Sequence, residues 1–199
     1  GAAVGDLIAG WLRDHGIALD GGVDVTEIMA TDGSAVVRTG DGRAVEAAHV
    51  VLATGAKPNT ALLDPIGLAD TSGVPVDASM RTPAADAFAV GDIAHAENVT
   101  AGRRLRVEHW GDAERMGEIA AHVIAGHDDR WAEVPGFWSA ICGHELKYVA
   151  WGDGWDQVVE RRSAEGVTFW YGREGRTVGV LTDNHNDDHE RAPTVVAKG

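Results

Sequence analysis

The sequence predicts an α/β protein that ends in a small antiparallel sheet. Three features predict it. Two apolar runs, HVVLATG (His49–Gly55) and AFAVGD (Ala87–Asp92), stop abruptly at glycine. Two other stretches carry apolar residues at helical spacing. The last third holds four strand-like runs separated by turn residues.

In chain order, Val4, Leu7, Ile8, Trp11 and Leu12 recur at helical spacing and Gly16 supplies a stop. A helix is therefore predicted from Val4 to His15. Ile17–Leu19 follows as a short strand. Val23–Met29, Ser34–Arg38 and Gly42–Ala47 are separated by Thr31-Asp32-Gly33 and Gly40-Asp41-Gly42. Asp-Gly pairs between strand-like runs signal hairpins, so these three predict an antiparallel meander. After His49, the run to Ala53 is continuously apolar and partly β-branched, as a strand buried on both faces should be. Leu62 to Ser79, with Pro65, Gly67, Gly73 and Pro75, reads as a connector. Ala87–Val90 is the second buried strand, and Val99–Arg106 reads as a basic loop. Met116, Ile119, Ala120, Val123 and Ile124 share one face of a helix from Asp112 to Ala125, which Gly126 ends.

A polar stretch from Asp128 to Pro135 marks a domain boundary near residue 127. Beyond it, Glu145–Trp151, Gln157–Arg162, Gly166–Tyr171 and Arg176–Thr182 are strand-like, with turns at Asp153-Gly154, Ser163–Gly166 and Glu174-Gly175. Five of the seven tryptophans (Trp131, Trp138, Trp151, Trp155 and Trp170) fall here, which predicts a separate aromatic core.

Composition narrows the function. The chain has 199 residues, 44% hydrophobic and 24% charged, as expected of a globular protein of one or two domains. Its net charge of −14 argues against a nucleic-acid backbone as partner. No apolar run approaches the roughly 20 residues of a membrane helix. The N-terminus has no basic region of the signal-peptide kind and no initiator methionine, so the chain is expected to begin inside a longer natural sequence. Cys142 is the only cysteine, which excludes an internal disulfide or a cysteine-rich zinc site and makes a reducing, cytoplasmic location the expectation. It reads as a small buried apolar residue or as a reactive thiol.

The two glycine-ended strands carry the chemistry. A strand of an α/β sheet that ends at glycine opens onto the edge where ligands bind, and glycine lets a ligand approach the backbone. A carboxylate at a buried strand end is costly unless it is satisfied. Asp92 therefore either caps a turn or accepts hydrogen bonds from the hydroxyls of something bound.

A set of motifs then occurs in order: ATGAKPNT (Ala53–Thr60), TPAADAFAVGDIA (Thr82–Ala94), RVEHWGDAERMGEIAA (Arg106–Ala121) and PGFWS (Pro135–Ser139). The set resembles the C-terminal half of FAD-dependent pyridine-nucleotide oxidoreductases. Within that family it is most similar to the ferredoxin and rubredoxin reductases of bacterial oxygenase systems, which also resemble apoptosis-inducing factor. The resemblance covers nearly the whole chain. It implies the remainder of two Rossmann-like nucleotide-binding domains plus a small α+β C-terminal domain. The divisions are 1–60 (NAD(P)H domain), 61–127 (FAD domain) and 128–199 (C-terminal domain).

The resemblance also implies roles. Asp92 matches the aspartate on the ribityl or phosphate part of FAD, with Gly91 giving the backbone room. His109 and Trp110 match positions that touch the isoalloxazine, where the helix N-terminus also stabilises negative charge on the reduced ring. Thr54 and Gly55 match a segment lining the nicotinamide site. Trp138 matches an aromatic residue that reaches over flavin and nicotinamide. The implied activity is hydride transfer from NAD(P)H to FAD, then electron transfer to a ferredoxin or rubredoxin carrier. The cofactors do that chemistry, so no catalytic acid–base pair is required.

The departures are specific. Ala140-Ile141-Cys142 follow FWS where the family has an acidic residue and an amide. Pro193 is expected to interrupt the family's terminal helix. Neither of the family's two GxGxxG fingerprints occurs in the chain. Two alternatives follow: an interaction module that works with a separate N-terminal half, and a metal-binding tail at His185, Asp187, Asp188 and His189; within the reductase reading, Arg103, Arg104 and Arg106 form a basic patch expected to dock an acidic carrier.

Overall fold

Apolar spacing at the N-terminus produces helix α1, Ala2–Asp14, whose buried residues are Val4 and Trp11. The structure, a computed structural model, describes the backbone of all 199 residues and every side chain except that of Asp64. It divides into two compact units, residues 1–57 and 58–199. Within the first, β1 (Val25–Ala30), β2 (Ala35–Thr39) and β3 (Ala44–Ala47) form the expected antiparallel meander. Its second turn is tied by Asp41, which accepts hydrogen bonds from Thr39 and Arg43. Those two donors lower the exposed Asp41 carboxyl to about 2.

Two strands expected in this unit do not form. Ile17–Leu19 makes no ladder, and Ile17 and Leu19 are exposed. Ile17 N–H instead closes the end of α1 by bonding Leu12 O at 2.9 Å, so the segment continues the helix terminus and joins no ladder. The run His49–Ala53 forms no strand and is unpaired, with Val51 87% and Leu52 69% exposed. A strand buried on both faces requires partners on either side, and no described residue pairs with this one.

The second unit begins with β4 (Val74–Val76), then β5 (Ala94–Asn98) and β6 (Arg103–Arg106), ordered β4-β5-β6. β4 and β5 are parallel, β5 and β6 antiparallel. The stretch 62–79 is thus more than a connector, and of the expected basic loop only residues 99–102 are a loop, while its arginines lie on β6. Asn98 holds that loop by accepting the Thr100 and Ala101 N–H groups at 3.0 and 2.9 Å. Ala87–Val90 is not the buried strand expected. Its backbone folds back on the preceding turn, Thr82 N–H bonding Ala87 O and Ala89 N–H bonding Met80 O. Only one bridge, Arg81 to Phe88, remains.

Helix α2, Trp110–Ile124, lays Met116, Ile119, Ala120 and Val123 onto Val74, Val76, Ala94, Ala96 and Leu105. Trp131 is fully buried in this same core, against which Trp151 also packs. The Trp131 carbonyl accepts Val99 N–H and its own N–H bonds Ala78 O. Arg115 on α2 grips the following segment by binding Asp129 and Glu133.

The C-terminal sheet has five antiparallel strands, β7 (Gly136–Ile141), β8 (His144–Ala150), β9 (Gln157–Arg162), β10 (Val167–Arg173) and β11 (Arg176–Asp183). Their order is β7-β8-β11-β10-β9. The last four match the expected runs closely, whereas β7 was visible only as the FWS motif. The expected aromatic core forms only in part: Trp138 and Trp155 are exposed, while Trp151 and Trp170 pack against a core of Val149, Val180, Ala192 and Val196.

Helix α3, Asn186–Lys198, runs straight through Pro193. A mid-helix proline costs about 3 kcal/mol, but Asp188, Ala192 and Val196 are buried on either side of it. That packing, with Trp151 Nε1–H donating to Val196 O at 3.1 Å, holds the helix together across the break. His185 and Asp188 of the tail are structural. Thr168 O–H donates to Asp188 at 2.6 Å, so its oxygen accepts His185 Nδ1–H at 2.7 Å and His185 Nε2 accepts Ser163 O–H at 2.8 Å. Among the described residues no three His, Cys, Asp or Glu are grouped to hold a metal ion, which removes the metal-binding tail. Among the described residues no helix is long and apolar enough to cross a membrane.

Two outcomes follow from α3. Pro193→Ala restores a donor to the helix and raises the unfolding free energy by about 1–2 kcal/mol, less than the full proline penalty because the unfolded chain also gains freedom; urea unfolding measures it. Burial and then the Lys147 ammonium push His189 below its ordinary 6.5, against the weaker pull of Glu145 and Glu190. The unfolded chain therefore takes up the proton first, so this stability is present above pH 6.5 and is lost as pH falls below it. His189→Asn flattens that fall in unfolding curves taken on both sides of pH 6.5.

Candidate cofactor-binding site

The fold gathers five of the seven expected site residues in the second unit. Val90 ends an extended segment and Gly91–Ile93 forms one 3₁₀ turn that packs on α2. Gly91 is buried at φ +72°, a conformation that favours glycine. A methyl group there would also lie 3.3 Å from the Ala113 Cβ. Gly91 thus lets the turn sit on the helix. Asp92, next in the chain, is exposed, so its carboxylate faces open space and not a buried strand end.

His109 is the N-cap of α2, in extended conformation, and no side chain caps the helix. The first intrahelical bond is Ala113 N–H to His109 O at 3.0 Å. The preceding N–H groups carry the positive end of a 15-residue helix. Trp110 opens the helix with 71% of its surface exposed, and Trp138, on β7, is 53% exposed. The two rings meet edge to face, centroids 5.8 Å apart at 68°.

One buried carboxylate joins these elements. Asp112 Oδ2 accepts His109 Nδ1–H at 3.2 Å and Gly136 N–H at 3.3 Å. Asp112 lies inside the motif RVEHWGDAERMGEIAA without a role assigned from it; its partner Gly136 lies 24 residues away. A second tie is aromatic. The His109 ring packs against Phe137 at 5.0 Å, Phe137 against Tyr148 at 5.4 Å, and Tyr148 against Tyr171 at 6.1 Å. Burial raises both tyrosine hydroxyls above their ordinary 10.

Two cavities are lined by residues of these elements. One, about 470 Å³, lies between β6 and β8 and is lined by Arg103, Arg106, His109, Tyr148 and Asp153. The other, about 340 Å³, is lined by Gly136, Trp138, Lys147, Val149 and His189. The arginines are not the free basic patch expected. Arg103 pairs with Asp153, Arg104 with Glu97 at 3.0 Å, and Arg106 with Glu108. Each charge is locally cancelled.

Thr54 and Gly55 belong to the other unit. They lie in its exposed, unpaired segment, with Gly55 at φ +99°.

Comparison with known proteins gives these residues a context. The chain is 35% identical over 173 residues to the ferredoxin–NAD(+) reductase component of the anthranilate 1,2-dioxygenase system of Burkholderia cepacia, covering 85% of this chain and 42% of that protein. It is 28% identical over 186 residues to apoptosis-inducing factor 3 of Mus musculus, covering 88% of this chain and 30% of that protein. The crystal structure of the ferredoxin reductase for the CYP199A2 system from Rhodopseudomonas palustris superimposes with a TM-score of 0.83 at 29% identity. That match covers 92% of this chain and 47% of the other. The chain spans less than half the length of each of these. Residues 1–117 match the pyridine nucleotide-disulphide oxidoreductase family profile. That is more than half of the sequence, and the chain belongs to this family of oxidoreductases.

Proposed function

We propose that this chain is the C-terminal portion of an FAD-dependent NAD(P)H:ferredoxin or rubredoxin reductase. The observation that carries the reading is the exposed Trp110–Trp138 pair beside the uncapped start of α2. A flavin is flat, apolar on its faces and anionic when reduced. Exposed indole rings and free helix N–H groups suit both properties. The residues present therefore fit the group. FAD, when bound, would supply two-electron uptake from a nicotinamide and one-electron delivery to a carrier.

The chain's own residues would bind and orient. Asp92, exposed on a turn held by Gly91, would accept the polyol hydroxyls. His109 and the α2 N-terminus would lie against the ring and stabilise its negative charge. Trp138 would cover it, and Thr54 and Gly55 would line the nicotinamide site. We further propose the division into 1–60, 61–127 and 128–199, supported by the separate five-stranded sheet of the last part, and a cytoplasmic location. A ferredoxin-type partner is supported by the relatives named as ferredoxin reductases. With Arg103, Arg104 and Arg106 already paired, a carrier would meet a rim of matched charges and not a positive field.

A second reading, in which the chain acts only when paired with a separate N-terminal half, is favoured by the unpaired, exposed Val51 and Leu52. Co-expression with an N-terminal half carrying both glycine fingerprints tests both readings. A yellow, NADH-reducible complex that passes electrons to a ferredoxin is expected, and a colourless one defeats both.

In such a complex, Asp92→Ala removes a charged acceptor worth about 1.5–3 kcal/mol, so FAD should be held roughly 10- to 100-fold more weakly. Flavin content after gel filtration measures this, and an unchanged content returns Asp92 to a turn-capping role. Gly91→Val forces a branched side chain into a left-handed turn against Ala113 and should lower stability by about 1–3 kcal/mol, read by thermal unfolding.

A further inference from the structure

We propose that Asp112 is the positioning residue of the candidate site: its buried carboxylate sets where β7 starts against the α2 N-terminus, and so brings Trp138 onto Trp110. The proposal rests on the reading of that ring pair as the wall of a flavin site, but its geometry does not depend on a flavin.

Asp112 is the third residue of α2 and is buried. A carboxylate there is expensive unless donors satisfy it. Three things do. The helix N-terminus favours negative charge in its first turn. His109 Nδ1–H donates from the N-cap position, and Gly136 N–H donates from the first residue of β7. One oxygen, Oδ2, takes both donors, so the two donors are fixed relative to each other.

The donors sit next to the rings. Trp110 directly follows His109, and Trp138 stands two residues beyond Gly136. Residues two apart on a strand share a face and lie roughly 6.6–6.8 Å apart. Placing Gly136 therefore places Trp138. β7 is an edge strand, paired on one side only, with β8. No other strand registers it from outside. On its inner side it has no slack, since a methyl group on Gly136 would come within 2.8 Å of Tyr148 O. Asp112 from outside and β8 from inside together leave β7 one position. The His109–Phe137 ring contact at 5.0 Å runs between the same two elements and supports the same register.

Asn at position 112 keeps a carbonyl oxygen that accepts from both donors and removes the charge; Ala removes both. The test uses the full chain. Edge-to-face indoles couple in the near-ultraviolet circular dichroism spectrum, and Trp138→Phe gives the spectrum without that coupling. Asp112→Ala is expected to fall to the Trp138→Phe level while its far-ultraviolet spectrum stays that of the parent, and Asp112→Asn is expected to keep the coupling. A parent-like coupling in Asp112→Ala overturns the proposal. Should Asp112→Ala fail to fold, amide exchange at Gly136 decides. Protection in both the parent and Asp112→Asn supports the proposal, and free exchange of that amide in the parent overturns it. Neither readout involves a flavin. Loss of the flavin reading through Asp92→Ala would therefore leave this result standing, and the reverse also holds.

In a flavin-loaded complex, Asp112→Ala should lower kcat on the order of 10- to 100-fold with KM for NADH unchanged, the effect of a misplaced ring. A rise in KM alone would contradict a positioning role.

Discussion

The burial of one helical stripe governs the second unit. Met116, Ile119, Ala120 and Val123 of α2 share a core with Val74, Val76, Ala94, Ala96 and Trp131. Full burial of each large apolar side chain is worth about 1.5–3 kcal/mol, so this cluster outweighs any single polar contact nearby. With the stripe in place, the helix axis is set. Its N-terminus then meets the Gly91 turn and β7, and Arg115 reaches Asp129 and Glu133 on the segment leading into the C-terminal sheet. The candidate site lies at the end of an element whose position is decided elsewhere, by dry packing.

Much of this was legible in the residues. The stripe Met116–Val123, the Asp-Gly hairpins of the first unit and the four last strands all follow a local period or a turn residue, and such signals survive translation into structure. The misses have a common cause. His49–Ala53 and Ala87–Val90 are apolar enough to be central strands, but a strand is a relation between segments, and neither finds ladder partners among the described residues. Pro193 shows the opposite error. The local rule forbids a helix there, and the burial of Ala192 and Val196 overrides it. In the site, Gly91, His109, Trp110 and Trp138 were visible as members of an ordered motif set. Asp112 stands in the same set, as Gly136 does, but nothing along the chain marks the bond that joins them.

The charges follow the same lesson. Three arginines in four residues read as a basic patch, but each meets a carboxylate in the folded chain. Exposed pairs of this kind contribute about 0–1 kcal/mol each. Their main effect is on the surface potential: they erase a local positive field in a chain of net charge −14. Any attraction of the site for an anion then rests on the start of α2 and not on side-chain cations.

The five-stranded sheet has two outer strands, and they are treated differently. β7 is held from outside by Asp112, whereas β9, all of whose residues are exposed, has β10 as its only strand neighbour. An open strand edge is a template for another chain, and natural proteins blunt it with charge. β9 reads QVVERR, and its second half is a continuous charged run, Glu160-Arg161-Arg162. A second molecule adding to this edge would have to desolvate those charges, and a like copy docking in parallel register would set each against its own sign. The same strand that contributes no buried residue to the core thus carries its charge where an added strand would have to pair.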